Sequence, residues 1–191
     1  QSKEGIQVSK AFSFPTPAGA YENGYLRDIG KMMDAFKTEL GKNRIPNGVC
    51  HLSVKSTAVI TREIPFPVLG EEELEGVLRY QLAEYLPMDS GKYEIQHKVI
   101  GKIMDNDVEK LNVLVVAIPK DMVEMHHVFI SELGLKPTVM DYQSNGIWKL
   151  MNFANFINDD IEPAQSTIAA IDLGKYSTNI TIIKKGVYQT G

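Results

Sequence analysis

The sequence predicts a mixed α/β fold of the α+β type, and three observations support this prediction. Segments with the two-residue period of strands and the three- to four-residue period of helices follow one another along the chain. Between residues 57 and 141 their order is β-α-β-β-α-β, which is typical of the split βαβ, or ferredoxin-like, unit. Near the end of the chain, residues 167–184 have the pattern of a strand, a tight turn and a second strand.

Length and composition narrow the classes of protein to which the chain can belong. Its 191 residues suffice for one large or two small domains, and 43% of them are hydrophobic. The net charge of −4, without a basic run, argues against nucleic acid and against electrostatic attachment to a membrane surface. No apolar run approaches the ~20 residues of a membrane-spanning helix, so direct membrane insertion is not expected. The chain starts at Gln1 and stops at Gly191 just after a strand, so we expect a piece of a longer protein.

The first 56 residues contain two predicted strands and one helix. Alternating apolar residues predict a strand over residues 5–14, which nearby prolines end. Apolar residues at three- and four-residue steps predict a helix over residues 25–40, ended by Gly41. Residues 49–54 have the pattern of a short buried strand. The single cysteine, Cys50, lies in it and is expected to be a buried structural thiol, which fits a reducing cytoplasm.

Residues 57–142 contain the predicted β-α-β-β-α-β unit. Its elements lie, in order, at residues 58–64, 71–86, 93–104, 111–118, 120–133 and 135–140. We expect a four-stranded antiparallel sheet with both helices on one face, which leaves the other face free to meet a neighbour. The tripeptide Pro65-Phe66-Pro67 ends the first strand, and its aromatic side chain either contacts a partner or belongs to the core.

Three groups of polar residues in this unit resemble metal sites but have simpler explanations. The glutamates at residues 71–73 lie in the first turn of a helix, where the helix dipole favours negative charge. The Asp-Asn-Asp triplet at residues 105–107 lacks the later glycine and glutamate of a calcium loop, so we interpret it as a hairpin turn. His126 and His127 are adjacent on a helix, so they point in different directions and cannot share one metal ion.

The last part of the chain begins with a predicted helix over residues 144–158. Its inward-facing residues are Ile147, Leu150, Met151, Ala154 and Ile157. Trp148 is expected to be partly exposed. A polar linker follows over residues 158–165, and after the strand–turn–strand stretch a third strand is predicted over residues 187–190.

The turn after residue 172 carries the strongest candidate for a binding site. Asp172 lies near the end of the first strand, Gly174 makes the turn, and Ser177, Thr178 and Asn179 follow. Glycine lets backbone N–H groups approach an anion, hydroxyl and amide groups donate to phosphate oxygens, and Asp172 can hold a magnesium ion through water. The same residue types are common in an ordinary β-hairpin, so this pattern alone leaves both interpretations open.

The sequence offers no constellation typical of an enzyme. It has no nucleophile elbow with a following acid and histidine, no Walker loop and no zinc-ligand spacing. We therefore expect a binding function rather than catalysis.

Several stretches, taken together and in their order, resemble the PilM family of type IV pilus assembly proteins. They are VITREIPFP at residues 59–67, ELEGVLRYQLAEYLPM at 73–88, LVVAIPK at 114–120, LGLKPTVMD at 133–141 and AIDLGKYSTNIT at 170–181. Proteins of this family are cytoplasmic relatives of FtsA. The resemblance therefore implies an actin-like, or ribonuclease H-like, fold for nearly the whole chain.

The resemblance also implies how the chain divides. Residues 1–56 would be the later part of the first actin-like subdomain, and residues 57–142 an inserted βαββαβ subdomain. Residues 143–165 would return to the first subdomain as a helix and a linker. Residues 166–191 would open the second subdomain with its phosphate-binding hairpin. The family's other phosphate hairpin and its adenosine site would lie outside these residues, so the chain would be an incomplete fragment.

In the family's hairpin an acid, a glycine and a hydroxyl surround the nucleotide phosphates and magnesium, and Asp172, Gly174 and Thr178 occupy those positions. Ser177 and Asn179 would add donors to the phosphates. The resemblance thus implies that the intact protein binds ATP and Mg²⁺. With one of two phosphate hairpins, these residues alone should bind nucleotide weakly or not at all.

The family's role is that of a scaffold at the inner face of the cytoplasmic membrane. Such proteins hold the cytoplasmic N-terminal peptide of a PilN-type inner-membrane pilus protein in a groove beside the inserted subdomain, and couple to the assembly motor ATPase. We expect the free surface of residues 57–142 to carry part of this partner site, with Phe66 as a candidate contact. The alternatives are an FtsA-like division protein, a cytoplasmic component of type II secretion, and a sugar or acetate kinase, which would need a positioned general base.

Overall fold

The computed structural model of the chain describes residues 7–85, 89–154, 156–158, 160–174 and 178–190. Helices and strands alternate along them, which confirms the mixed α/β fold. Within these ranges, no helix is both long enough and apolar enough to cross a membrane.

The bounds of the elements are as follows. The helices are α1 (Ile29–Lys42), α2 (Glu71–Tyr85), α3 (Lys120–Glu132) and α4 (Gln143–Phe153), with a 3-10 turn at Ser90–Lys92. The strands are β1 (Tyr21–Glu22), β2 (Tyr25–Leu26), β3 (Val49–Val54), β4 (Ile60–Pro67), β5 (Tyr93–Asp105), β6 (Val108–Pro119), β7 (Lys136–Tyr142), β8 (Thr167–Leu173), β9 (Thr178–Lys184) and β10 (Val187–Thr190). In the described part of the chain they form four sheets, with strand orders β1-β2, β3-β7, β4-β6-β5 and β10-β9-β8.

The pairing of β7 differs from the prediction. Residues 57–141 do not form one four-stranded antiparallel sheet, because β7 pairs in parallel with β3 over the whole length of β3. The edge strand β4 contains Pro65 and Pro67, which have no N–H to offer to a further strand on its outer side. These residues therefore form two layers. One is a three-stranded antiparallel sheet with α2, and in the other α3 and β7 join β3.

Phe66 lies in the core between the three-stranded sheet and α2. Only 1% of its surface is exposed, so its side chain is not accessible to a partner. The other buried members of this cluster are Ile64, Leu74, Leu78, Leu111, Val113, Val115 and Ala117. β4 continues through Pro65 to Pro67 instead of ending before them, and the strand's alternation then directs Phe66 inward. Of the two roles proposed for Phe66 from the sequence, core packing is the one observed.

A second core lies between α1 and α3. Met32 and Met33 are buried in it as packing residues, together with Ala20, Leu26, Phe129 and Ile130. Cys50 is half-buried at its margin, and this burial raises the pKa of the thiol. His126 is buried and its pKa is lowered, chiefly by desolvation, whereas its neighbour His127 is exposed. The two histidines therefore point apart, as their spacing predicts.

α1 begins four residues later than predicted. Asp28 is its N-cap and accepts a hydrogen bond from the backbone N–H of Lys31 at 3.0 Å. Residues 25–26, which were predicted to begin the helix, form strand β2. This strand pairs with β1 in a short hairpin, whose turn residues Asn23 and Gly24 have φ angles of 46° and 89°. At its other end α1 continues through Gly41 for one further residue, so this glycine does not end the helix.

The strand predicted over residues 5–14 is not observed in its described part, residues 7–14. Most of its side chains are exposed, including Val8. An alternating pattern becomes a strand only where a neighbouring strand supplies backbone hydrogen bonds. Phe14 packs edge-on against Phe36 of α1 instead, with the ring centroids 5.0 Å apart.

α4 is shorter than predicted and rotated relative to the prediction. It ends at Phe153, where Ala154 adopts an extended conformation. Trp148, expected to be partly exposed, is buried with 7% of its surface accessible, whereas Leu150, expected to face inward, is exposed. Trp148 belongs to a third core cluster with Ile100, Leu114, Ile183 and Tyr188. The large indole therefore takes the buried position between two sheets, which turns Leu150 outward.

The two strands predicted within residues 167–184 are observed, and residues 175–177 between them lie outside the described residues. β8 and β9 pair antiparallel from Thr167 opposite Lys184 to Leu173 opposite Thr178. The third strand, β10, pairs antiparallel with β9 after the turn at Lys185-Gly186.

Replacing Phe66 by alanine should test its core position. We expect Phe66→Ala to lower the free energy of unfolding by about 3–5 kcal/mol, because it removes a fully buried aromatic ring. The control is Phe153→Ala. Because the side chain of Phe153 is 59% exposed, this substitution should lower the free energy of unfolding much less. Chemical denaturation followed by circular dichroism measures both, and equal losses would contradict the burial of Phe66.

Candidate functional site

The carboxyl ends of β3 and β7 define where the candidate site lies. Because the two strands are parallel, Val54 and Tyr142 end them at the same edge of the sheet. Lys55 follows the first strand directly, and Gln143 begins α4 after the second. Ligands in α/β proteins usually bind at the carboxyl ends of parallel strands, and a helix N-terminus adds positive partial charge there.

Four side chains form a polar cluster between this edge and the β8–β9 hairpin. The amide of Gln143 bridges the hairpin: its Nε2 donates to Asp172 Oδ2 at 2.7 Å, and its Oε1 accepts from Asn179 Nδ2 at 2.9 Å. Asp172 and Asn179 lie directly opposite each other in the hairpin, so a single amide reaches both. The ammonium of Lys55 lies 3.7 Å from the same oxygen of Asp172.

Of the five residues proposed from the sequence, the structure brings Asp172 and Asn179 together. Thr178 is the first residue of β9, and its side chain points to the opposite face of the hairpin because successive strand residues alternate. Gly174 is exposed and directly follows β8. Ser177 lies outside the described residues.

Lys55 and Gln143 are the members of the cluster that sequence reasoning missed. Each directly follows a strand. This position indicates a shared site only when the two strands are known to be parallel neighbours. Sequence patterns placed β7 in one four-stranded antiparallel sheet with the other strands of residues 57–141 and left β3 outside that sheet, which separated the two residues. Correct pairing of β3 with β7 would have brought both to one edge.

A magnesium ion fits the cluster through one carboxylate. Mg²⁺ usually keeps several waters and takes one or two carboxylates together with phosphate oxygens. The side chain of Asp172 is 43% exposed, so a hydrated ion can reach it. In the part of the chain that the structure describes, no three His, Cys, Asp or Glu side chains come together to hold a metal. Asp172 is the one carboxylate of this four-residue cluster that could hold such an ion through water.

A cleft of about 480 Å³ lies between the three-stranded sheet and the β7–α4 junction. We call it the α4 cleft. Its apolar lining is Val116, Ile118, Val123, Val139 and Met140, and its polar lining is Glu94, Gln96, Asp141, Tyr142, Asn145 and Lys149. Asp141 organises one wall, since it accepts hydrogen bonds from Asn145 Nδ2 at 2.6 Å and from Lys149 Nζ at 2.5 Å.

Trp148 fixes α4 between two sheets. Its Nε1 donates to the backbone carbonyl of Gly186, in the β9–β10 turn, at 2.8 Å. On the side of the three-stranded sheet, the ammonium of Lys98 lies 4.3 Å from the centroid of the indole ring, a cation–π contact. Gly186 has a φ of 76°, and a Cβ there would lie 2.9 Å from Asn152 Oδ1 of α4, so the turn and the helix touch closely.

Two buried tyrosines next to these elements stay protonated. Tyr142 ends β7 and Tyr188 lies in β10. Burial is the main cause that raises the pKa of each hydroxyl, and the proximity of Tyr188 raises that of Tyr142 further. Neither side chain contributes negative charge near the cleft at neutral pH.

Comparison with known proteins identifies a matching family and similar solved structures. The family model described as type IV pilus assembly protein PilM matches residues 1–189. A solved chain from a structure titled "PilM-PilN type IV pilus biogenesis complex" is similar with a TM-score of 0.73 and 21% sequence identity. The match covers 93% of this chain and 51% of that chain, so the 191 residues span about half the length of the solved relative.

Replacing Gln143 should loosen the contact between α4 and the hairpin. Gln143→Ala removes the two hydrogen bonds to Asp172 and Asn179, so we expect a loss of about 1–2 kcal/mol in the free energy of unfolding. We also expect faster amide hydrogen exchange in β8 and β9. Ser144→Ala, at the next position of α4, is the control. Equal stability and unchanged exchange in the Gln143 variant would show that the bridge does not hold the hairpin.

Proposed function

The chain belongs to the PilM family of type IV pilus assembly proteins, and we propose that it acts there as a scaffold that holds a peptide of an inner-membrane partner. The family assignment supports a role in type IV pilus assembly. The solved relative is a complex of PilM with PilN. The proposed ligand is therefore the cytoplasmic N-terminal peptide of a PilN-type protein.

The α4 cleft is the observation that carries this proposal. It combines an apolar lining with polar groups at one side, which suits an extended peptide that buries a few apolar side chains. Val139 is 41% exposed and so offers apolar surface to a ligand. Glu94 and Gln96 from β5 line the cleft, as do Asp141 from β7 and Lys149 from α4, so both walls offer polar groups to a peptide backbone.

The position of the cleft supports the proposal that a partner peptide lies beside the three-stranded sheet. One wall belongs to β5 and β6 of that sheet, and the other to α3, β7 and α4. Phe66, the contact suggested by the sequence, lies in the core on the α2 face of the sheet and has no part in this site.

An acidic residue in the cleft should weaken peptide binding. We expect Val139→Asp to lower the affinity for a synthetic N-terminal peptide of the PilN-type protein of the same organism at least about tenfold, because it places a charge on the apolar lining. Val49→Asp is the matched control, since Val49 is also an exposed strand valine but lies outside the cleft. Calorimetric titration measures both.

Two outcomes would contradict this assignment. Equal affinities of the two variants would show that the peptide does not bind in the cleft. Absence of binding by the unmodified full-length protein would contradict the peptide proposal itself. Circular dichroism of each variant before titration shows whether it is folded.

The second part of the proposal is that the polar cluster belongs to a site for ATP and Mg²⁺. Asp172 would hold the ion through water, and Asn179, Gly174 and Ser177 are the proposed donors to phosphate oxygens. The hydroxyl of Thr178, the further donor expected from the sequence, points to the other face of the hairpin. Bound nucleotide would supply a charged ligand that bridges the hairpin and the edge of the β3–β7 sheet. Titration of the full-length protein with Mg·ATP tests this part, and no heat of binding would contradict it.

The remaining parts of the proposal rest on family membership. They are contact with the assembly motor ATPase, a place at the inner face of the cytoplasmic membrane, and binding without catalysis. Phosphoryl transfer from ATP to a sugar or to acetate by the full-length protein would contradict the last of these.

A further inference from the structure

We propose that Lys55 is a phosphate-binding residue, and that its ion pair with Asp172 is the resting position of a cation that moves to the phosphates when nucleotide binds. The inference rests on the proposed nucleotide site and adds a residue to it. The ligand chemistry is that of a magnesium-bound polyphosphate.

The position of Lys55 in the fold is the first argument. It directly follows β3 at the carboxyl edge of a parallel sheet, beside the residue that begins α4. A helix N-terminus carries positive partial charge, and the lysine places a full positive charge at the same edge. The hairpin opposite carries Asp172. An anion entering between edge and hairpin would therefore meet positive potential on one side and the metal-binding carboxylate on the other.

The geometry of the ion pair is the second argument. Gln143 Nε2 holds Asp172 Oδ2 at 2.7 Å, a hydrogen-bond distance, whereas Lys55 Nζ lies 3.7 Å from that oxygen. Asp172 is thus positioned by the amide, and Lys55 acts as a counter-ion that can leave without dismantling the cluster. By comparison, Lys149 Nζ lies 2.5 Å from Asp141 Oδ2, so this ion pair is held by a short hydrogen bond.

The low cost of moving Lys55 is the third argument. Its side chain is 40% exposed and that of Asp172 is 43% exposed, and pairs of this kind contribute about 0–1 kcal/mol because water screens them. A lysine side chain also has a flexible four-carbon stem. Once a magnesium ion neutralises Asp172, the lysine loses its partner and is left as an unpaired cation. A phosphate oxygen then becomes its most favourable partner.

An ATP derivative with an acyl group on the terminal phosphate tests the proposal directly on the full-length protein. A lysine amine next to the phosphates attacks the acyl carbonyl and forms an amide, while the phosphate–acyl bond breaks, ATP leaves and the amine loses a proton. Peptide mass spectrometry then identifies the modified lysine. We expect acylation of Lys55, suppressed by excess Mg·ATP, and only unprotected background labelling of Lys42, which is 71% exposed on α1.

Affinity measurements complete the test. We expect Lys55→Met to weaken Mg·ATP binding about tenfold or more, since a charge-assisted contact is lost, and Lys55→Arg to stay within about threefold of the unmodified protein. Lys42→Met is the matched control and should change nothing. An unchanged affinity of Lys55→Met would overturn the proposal.

The outcomes separate this inference from the proposed function. If ATP protects another lysine while labelling of Lys55 is insensitive to ATP, Lys55 is not a phosphate ligand but the nucleotide site stands. If neither calorimetry nor labelling detects ATP, the nucleotide site is wrong, and the assignment of Lys55 falls with it.

Discussion

The packing of Trp148 between two sheets is the contact on which the arrangement of this chain depends. The indole N–H donates a hydrogen bond to the β9–β10 turn. The ammonium of Lys98, from the three-stranded sheet, lies over the indole ring. Around it lie Ile100 and Leu114 from one sheet and Ile183 and Tyr188 from the other. Because one buried side chain contacts both sheets, the position of α4 and the separation of the sheets are set together.

Because Trp148 holds α4 in place, the first turns of α4 lie next to both the β8–β9 hairpin and the α4 cleft. Gln143, its first residue, bridges Asp172 and Asn179 of the hairpin, while Asn145 and Lys149 line the α4 cleft together with Asp141 at the end of β7. The cluster proposed for a magnesium-bound phosphate and the cleft proposed for an extended peptide thus both include residues of this short segment. The parallel pairing of β3 and β7 completes the cluster, since it brings the end of β3, with Lys55, to the start of α4.

Local patterns in the sequence predicted where most helices and strands lie, but predicted much less well which strands pair with each other. The helix at Lys120–Glu132 and the β8–β9 hairpin follow from periodicity and turn residues, which act within a few positions of the chain. The pairing of β7 with β3 depends on backbone hydrogen bonds between residues far apart, and strand patterns are equally compatible with either neighbour. The same limit explains residues 7–14, where an alternating pattern has no strand beside it. Asp172 and Asn179 could be found from their turn, whereas Lys55 and Gln143 become visible only with the correct pairing.

Hydrogen–deuterium exchange of the full-length protein, with Mg·ATP and with the PilN-type peptide in turn, tests most directly whether α4 serves both sites. We expect the peptide to slow exchange in residues 114–118 and 142–149. We expect Mg·ATP to slow exchange in the β8–β9 hairpin and also at the start of α4. If neither ligand protected residues 142–149, a shared role of α4 would be ruled out.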